Sequence, residues 1–372
     1  IDQKDISSVV KTLKSDLITT GPQITTFEKN LSKKINSRYS VVFNSATSAL
    51  HSACLAFGLK NDDRLWTSTN SFVASANCGL YCGAKVDFID IELETFNIDL
   101  QKLEKKLQRA KKNNLLPKIV VPVVFAGQSY DVDHLINLSK KYKFKILEDA
   151  SHALGSKYKN RNVGSNKDII TVFSFHPVKM ITTGEGGSAH TSNERYYNMM
   201  KSVSSHGIVR KNGRHWDYKV FNLGYNFRLP DLNCALGISQ LRKLKKFVER
   251  RKKISAIYDN LFSDKEKFII PKKIKDTVNS YHLYPILINL KKIKKTKEKI
   301  IKEFLKNKIK LQVHYIPINT QPFYKKKYGL NKNNYKNSII FFKSCVSLPI
   351  YYDLNDRQIN YIKKICKKIF HL

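Results

Sequence analysis

One lysine among 55 is not informative by type, so Lys179 stands out only through its surroundings. It lies in Ser174-Phe-His-Pro-Val-Lys179-Met-Ile-Thr-Thr-Gly-Glu-Gly-Gly187, a Lys-poor window rich in hydroxyls and closed by glycines. An ammonium held between apolar walls gives up its proton near neutral pH, and the free amine attacks carbonyl carbon. Upstream, Glu148-Asp149-Ala-Ser-His152 ends an apolar run. A carboxylate there sits at low dielectric, where it needs a cation, a metal or a strong donor. Earlier still, Asn44-Ser-Ala-Thr-Ser48 opens a helical pattern with small residues. Free amides and hydroxyls at a helix N-terminus suit a phosphate, although the segment by itself also reads as an ordinary N-cap. In this order, phosphate cradle, carboxylate and isolated lysine are the parts that a pyridoxal 5'-phosphate site requires.

These groups need elements to hold them. Tyr39–Phe43, Lys85–Ile91, Lys118–Phe125, Phe144–Glu148 and Ile169–Phe175 read as strands, several of them near-continuous apolar runs covered on both faces. Ala46–Phe57 and Asp133–Tyr142 have helical periodicity between them. The alternation predicts an α/β layered domain with a largely parallel sheet, whose ligand lies beyond the carboxyl ends of the strands. The chemistry-bearing segments fall at those ends. Past Leu241 the pattern changes to a charged helix over Leu241–Phe262, a strand within Tyr281–Asn289, a Lys-rich helix, a strand at Ile309–Tyr315 and a helix over Leu354–Phe370. Residues 1–240 are therefore expected to form the large domain, and 241–372 a smaller α+β domain.

The chain has 372 residues with 67 Lys plus Arg against 30 Asp plus Glu, a formal charge of +37. Such a balance first suggests nucleic acid. Only 12 of the basic residues are Arg, the residue that reads bases and phosphates bidentately, and Lys, Ile and Asn share A/T-rich codons. Residues 241–310 hold a net +16, in the pattern of solvated helix faces. No nucleic acid is expected as partner. No run approaches the ~20 apolar residues of a membrane span, so no membrane is expected either. The six cysteines (54, 78, 82, 234, 345 and 366) form no CxxC pair and read as core residues of a cytoplasmic protein, with no metal site.

The order of these segments resembles the DegT/DnrJ/EryC1/StrS family of sugar-nucleotide aminotransferases, within pyridoxal phosphate fold type I. The match runs through Leu17-Ile-Thr-Thr-Gly-Pro22, Ser45-Ala-Thr-Ser-Ala-Leu50, Glu148–Gly155 and the Lys179 segment. It continues through Leu223-Gly-Tyr-Asn-Phe-Arg-Leu229, Ala235–Gln240 and Gln312-Val-His-Tyr-Ile-Pro317. The resemblance implies that Lys179 bonds covalently to the cofactor and moves protons, while Asp149 partners the ring nitrogen. It puts Ser174, Ala46 and Thr47 on the phosphate and Phe72 on one ring face. His152 stands where many relatives carry a Gln that approaches the ring hydroxyl. Asn226 matches a residue that a second subunit contributes to the phosphate, implying a homodimer with shared sites. Thr20, Gly21 and Arg228 are candidate substrate contacts, and read equally as turn and ion-pair residues. His314 and Tyr315 are further candidates, and read equally as packing at a strand end.

The implied reaction takes an amino group from glutamate, releasing 2-oxoglutarate, and gives it to a nucleotide-bound keto-sugar. His176 and Ile181-Thr-Thr183 resemble the family's enzymes acting at C4 of UDP-4-keto sugars, and Phe125-Ala-Gly-Gln-Ser129, Ser151–Gly155 and Tyr281–Ile286 resemble those taking a UDP-4-keto-6-deoxy-N-acetylhexosamine for pseudaminic acid. A UDP-4-keto-pentose is the alternative substrate. Family members that dehydrate their sugar carry His in place of the lysine, whereas Lys179 is present here. A reading from another class is a basic nucleic-acid-binding protein without catalysis.

Overall fold

The computed structural model describes residues 1–210, 216–329 and 332–372. In chain order the first strands are β1 (Tyr39–Phe43), β2 (Arg64–Ser68), β3 (Lys85–Ile89), β4 (Ile119–Val121) and β5 (Lys145–Asp149). A short hairpin of β6 (Lys157–Tyr158) and β7 (Arg161–Asn162) follows, then β8 (Ile169–Ser174) and β9 (Gly187–Thr191). Seven of these form one sheet in the order β1-β9-β8-β5-β4-β2-β3. The pairs β2–β3, β2–β4, β4–β5 and β5–β8 are parallel, and β9 runs antiparallel to both β8 and β1.

The helices α1 (Gln3–Leu13), α2 (Pro22–Ile35), α3 (Ala46–Ala56), α4 (Ala74–Leu80), α5 (Leu100–Lys112), α6 (Val132–Tyr142), α7 (Glu194–Ser204) and α8 (Asp231–Leu261) accompany this sheet. Strand side chains alternate between two cores. Trp66, Val42 and Ile146 point to the core shared with α2, α5, α6 and α8, while Leu65, Val41 and Leu147 point to the core shared with α3, α4 and α7. Covering both faces explains why the expected strands read as apolar runs. The exception is β9, Gly187-Ser-Ala-His-Thr191, which is buried throughout yet polar. Its His190 lies 2.8 Å from the hydroxyls of both Ser40 and Ser188, so the strand satisfies its own polar groups.

Two expectations at the second domain are corrected. The charged helix begins at Asp231 rather than near Leu241 and runs unbroken for 31 residues. Gly237 weakens the helical pattern in sequence, but a β-carbon there would lie 2.5 Å from Phe27 Cζ. The glycine lets α8 approach α2. Along α8, Ile238, Leu241, Leu244 and Val248 belong to the first core, and Ile254, Tyr258 and Phe262 to a separate one. The change of pattern at residue 241 thus lies inside a continuous helix.

Further along come a hairpin of β10 (Ile208–Arg210) and β11 (Tyr218–Val220), then β12 (Phe268–Ile269), β13 (Thr277–Val278), β14 (Tyr284–Ile288) and β15 (Cys345–Leu348). An antiparallel sheet β12-β14-β15 is covered by α10 (Lys297–Lys306) and α13 (Asp356–Phe370); the short α9 (Leu290–Ile293) precedes α10 in the chain, and α11 (Pro322–Tyr328) and α12 (Lys336–Ser344) follow it. The second correction concerns Ile309–Tyr315, which contributes a single bridge, Gln312 to Ser347, and no strand. Its polar groups are drawn elsewhere: Tyr315 N donates to Asn70 Oδ1 at 3.1 Å, and His314 Nδ1 meets Ser347 Oγ at 3.0 Å. Among the described residues no helix is long and apolar enough to cross a membrane.

Candidate active site

The carboxyl ends of the parallel strands open onto a cleft of about 2070 Å³. Its floor comes from residues following β1, β2, β5 and β8, and its other wall from Gln312, His314, Tyr315, Ser347 and Tyr351. This is where a parallel sheet, with its strand ends aligned, collects polar groups from distant parts of the chain.

At one end, Ser45 caps α3. Its hydroxyl accepts from Ser48 N at 3.1 Å, and the Ser48 hydroxyl accepts from Ser45 N at 3.2 Å. This reciprocal cap leaves the first-turn amides of Ala46 and Thr47 with no acceptor among the described residues, and both residues line the cleft. Directly beneath them, a β-carbon at Gly187 would stand 2.5 Å from Ala46 N. Only glycine permits so close an approach of β9 to the helix end. Two free amides beside the half-buried Ser174 hydroxyl make a cradle for a small anion.

Asp149 ends β5 and is buried. Its Oδ2 accepts from Ser75 Oγ at 2.5 Å and its Oδ1 from Ser151 N at 3.1 Å. The donors are neutral, so the carboxylate keeps its charge available to the cleft. Lys179 follows β8 in a short turn fastened by its own amide to the His176 carbonyl at 2.9 Å. Burial pushes its ammonium down to about 8, against the opposing attraction of Asp149. No hydrogen bond or ion pair reaches its Nζ among the described residues.

Three histidines surround this pair. Burial holds His152 and His282 well below the usual imidazole value, with the Lys179 charge adding to it. Burial brings His314 down to about 4, again helped by Lys179. All three are neutral at physiological pH, which leaves Lys179 as the group poised to titrate there.

Of the residues singled out in the sequence, Ala46, Thr47, Phe72, Asp149, His152 and Ser174 line the cleft, as do Lys179, His314 and Tyr315. Thr20, Gly21, Asn226 and Arg228 lie outside its lining in this chain. Thr20 is exposed, and Gly21 N donates to Asp231 Oδ1 at 3.0 Å, where α8 caps the start of α2. Arg228 Nη1 donates to Ser205 Oγ at 3.2 Å, and Asn226 is exposed, its carbonyl accepting from Asn44 Nδ2 at 3.3 Å. Two contributors escaped the sequence reading. Ser75 holds Asp149 from inside α4, away from any strand end, with no signal in its neighbours. Arg251 was hidden in the Lys/Arg run of α8. It is buried, and its Nη1 donates to the carbonyls of Tyr281, His282 and Ile350 at 3.2, 3.1 and 2.7 Å, fastening one cleft wall.

Residues 1–368 match the model of the DegT/DnrJ/EryC1/StrS aminotransferase family. The chain is 42% identical over 364 residues to a Campylobacter jejuni protein named UDP-4-amino-4,6-dideoxy-N-acetyl-beta-L-altrosamine transaminase, covering 98% of this chain and 94% of that one. Among solved structures it superposes on Helicobacter pylori PseC, described as an aminotransferase involved in the biosynthesis of pseudoaminic acid. The TM-score is 0.91 and the identity 34%, over 100% of this chain and 97% of the other. Streptococcus pneumoniae Spr1654, solved in a PLP-form and a PMP-form, matches with TM-scores of 0.90 and 0.91 at 30% and 29% identity, over 100% of this chain and 97% of each of those chains. The strand-end cleft and the match along nearly the whole sequence agree: the chain belongs to the DegT/DnrJ/EryC1/StrS aminotransferase family and is a PLP-dependent transaminase.

Proposed function

We propose that this transaminase moves an amino group from glutamate to C4 of a UDP-4-keto-6-deoxy-N-acetylhexosamine, on a route to pseudaminic acid. The observation that carries the reading is the 42% identity, over 98% of the chain, to a relative named for a UDP-4-amino-4,6-dideoxy-N-acetylaltrosamine. The residues present fit pyridoxal phosphate: two orphan amides above a glycine that cannot carry a side chain, a buried carboxylate with neutral donors, and a lysine without a partner among the described residues.

In this reading the Ala46 and Thr47 amides hold the phosphate with Ser174. Asp149, oriented by Ser75 and Ser151, keeps a proton on the ring nitrogen. Phe72, exposed in the cleft, covers one ring face. When bound, the cofactor supplies a carbonyl that receives the amino group and a ring that draws electrons from the carbon losing its proton. Lys179 would hold the cofactor and, as a free amine, would carry the proton between the donor α-carbon and C4'. Its displacement toward neutrality matches that task, since a base titrating near 8 both accepts and releases protons at physiological pH. The neutral histidines keep a second positive charge away from that amine.

The protein is further read as a cytoplasmic homodimer whose subunits share sites. In support, the β10–β11 hairpin and its flank expose Val209, Tyr218, Val220, Phe221 and Leu223, an apolar group beside Asn226 that a lone chain would leave in water. Light scattering on the purified protein is expected to give twice the chain mass; a monomer at micromolar concentration would overturn the dimer.

The activity is tested by mass spectrometry of products from a panel of UDP- and dTDP-4-keto sugars with glutamate. The amino-hexosamine is expected. Product from the UDP-4-keto-pentose in its place would move the assignment to that substrate. A colourless protein that bound DNA with a steep salt dependence would sink the enzymatic reading.

A further inference from the structure

His152 spends both ring nitrogens inside the protein. Ala126 N–H donates to Nδ1 at 3.3 Å, which makes Nδ1 an acceptor. Because the buried ring is neutral, its one proton sits on Nε2. Nε2 lies 3.1 Å from the Tyr315 hydroxyl oxygen, so the imidazole donates to that oxygen and the hydroxyl must aim its own proton elsewhere. Among the described residues that proton has no acceptor.

Tyr315 is otherwise held fast. Its amide donates to Asn70 Oδ1 at 3.1 Å, and its ring lies within 23° of parallel to His152 at 6.2 Å. His282 packs against His152 at 4.5 Å, and Phe72 stands 6.2 Å from Tyr315 across the cleft lining. Tyr315 shares that cleft with Lys179 and Asp149, and both burial and the Asp149 charge raise its phenol, so the hydroxyl stays protonated and remains a donor.

If the cofactor reading holds, three of the polar positions on pyridoxal phosphate are already served. The α3 amides take the phosphate, Asp149 the ring nitrogen and Lys179 the carbonyl carbon. The phenolic oxygen is left, and the Tyr315 proton is a donor without an acceptor among the described residues, on a side chain that lines the cleft. We propose that Tyr315 is the hydrogen-bond donor to the phenolic oxygen of the cofactor, and that His152 is a positioning residue acting through Tyr315 rather than on the cofactor itself. The chain Ala126 N–H to His152 Nδ1, His152 Nε2–H to Tyr315 Oη, then fixes the direction of that donor without moving any proton.

The phenolic oxygen shares the proton of the imine nitrogen formed with Lys179. A donor at that oxygen weakens the sharing and lets the nitrogen lose its proton at lower pH. Spectroscopic titration of the visible band of the bound cofactor reads this directly. Tyr315→Phe is expected to keep the colour and raise the midpoint by about one pH unit. His152→Leu should raise it similarly, His152→Gln should restore it by accepting from Ala126 and donating to Tyr315, and the Leu/Phe double variant should shift no further than Tyr315→Phe. A midpoint that ignores Tyr315, or that moves with His152 in the Tyr315→Phe background, overturns the proposal while leaving the transaminase reading intact. A wild-type protein that takes up no pyridoxal phosphate overturns both. Nitrogen-15 NMR of labelled histidine in the cofactor-free protein gives a readout independent of activity: His152 should carry its proton on Nε2, and a proton on Nδ1 would end the argument.

Discussion

Two lysines withdrawn from solvent in different regions, Lys297 buried and Lys179 half-buried, are treated in opposite ways. Lys297, 8% exposed at the start of α10, sets its ammonium on the Phe342 carbonyl and over the Phe342 ring at 4.3 Å. Lys179 lies at the strand-end cleft with no such partner among the described residues. Burial lowers both ammonium groups, Lys179 down to about 8. The carbonyl and the ring receive the first, which serves the packing of α10. Withholding partners makes the second a base. In a chain with 55 lysines, reactivity is therefore conferred by what is left out around one of them.

Substitution at each site tests this contrast most severely. Lys179→Ala is expected to lower amino transfer by at least about 10³-fold, with an unchanged circular dichroism spectrum. Lys297→Ala should leave turnover within about twofold and instead lower the urea midpoint, through the lost charge-assisted hydrogen bond. Comparable losses of activity in both would break the distinction.

Stability offers a second test. The folded value of Lys179, about 8, lies below its ordinary 10.5, so between those values the unfolded chain binds more protons and stability rises with pH. Below pH 8 the buried charge carries its full cost. Cofactor-free Lys179→Met should therefore be more stable than wild type at pH 7, by up to about 3 kcal/mol on linkage grounds, and the advantage should shrink as pH climbs toward 10. A wild type at least as stable at pH 7 would show that the ammonium has a partner.

Smaller effects refine the two regions. Gly187→Ala forces a methyl against the Ala46 amide and should weaken cofactor binding by about 1–2 kcal/mol, measured by equilibrium dialysis. The Lys-rich surface acts at longer range. Raising salt from about 0.05 to 0.3 M should increase KM for the nucleotide sugar only about two- to threefold through screening, and a KM indifferent to salt would remove the surface from the mechanism.

The cleft was legible in sequence wherever one residue at a strand end carried the information. Lys179, Asp149 and the Ser45–Ser48 segment each follow an apolar strand, and strand ends are aligned by the parallel sheet itself. What remained hidden depends on pairs of residues far apart in the chain. Ser75 meets Asp149 across 74 positions, and Tyr315 meets His152 across 163. Neither residue is unusual where it stands. The pairing that lets β9 be polar was hidden for the same reason, because His190 is satisfied by Ser40, 150 positions away. The early start of α8 was masked by Gly237, which looks like a break in sequence and is a point of close approach in the fold.

The long helix has a mechanical consequence. Val248 anchors α8 in one core and Ile254 anchors it in the next, less than two turns further on, with helical hydrogen bonding unbroken between them. Both walls of the cleft are thus mounted on a single rigid beam. To swing them apart like a jaw would require bending that beam, which carries neither proline nor a second glycine between its ends. The helix therefore works as a spacer: the distance between the two cores that flank the cleft is set by a continuous α-helix and not by a loop.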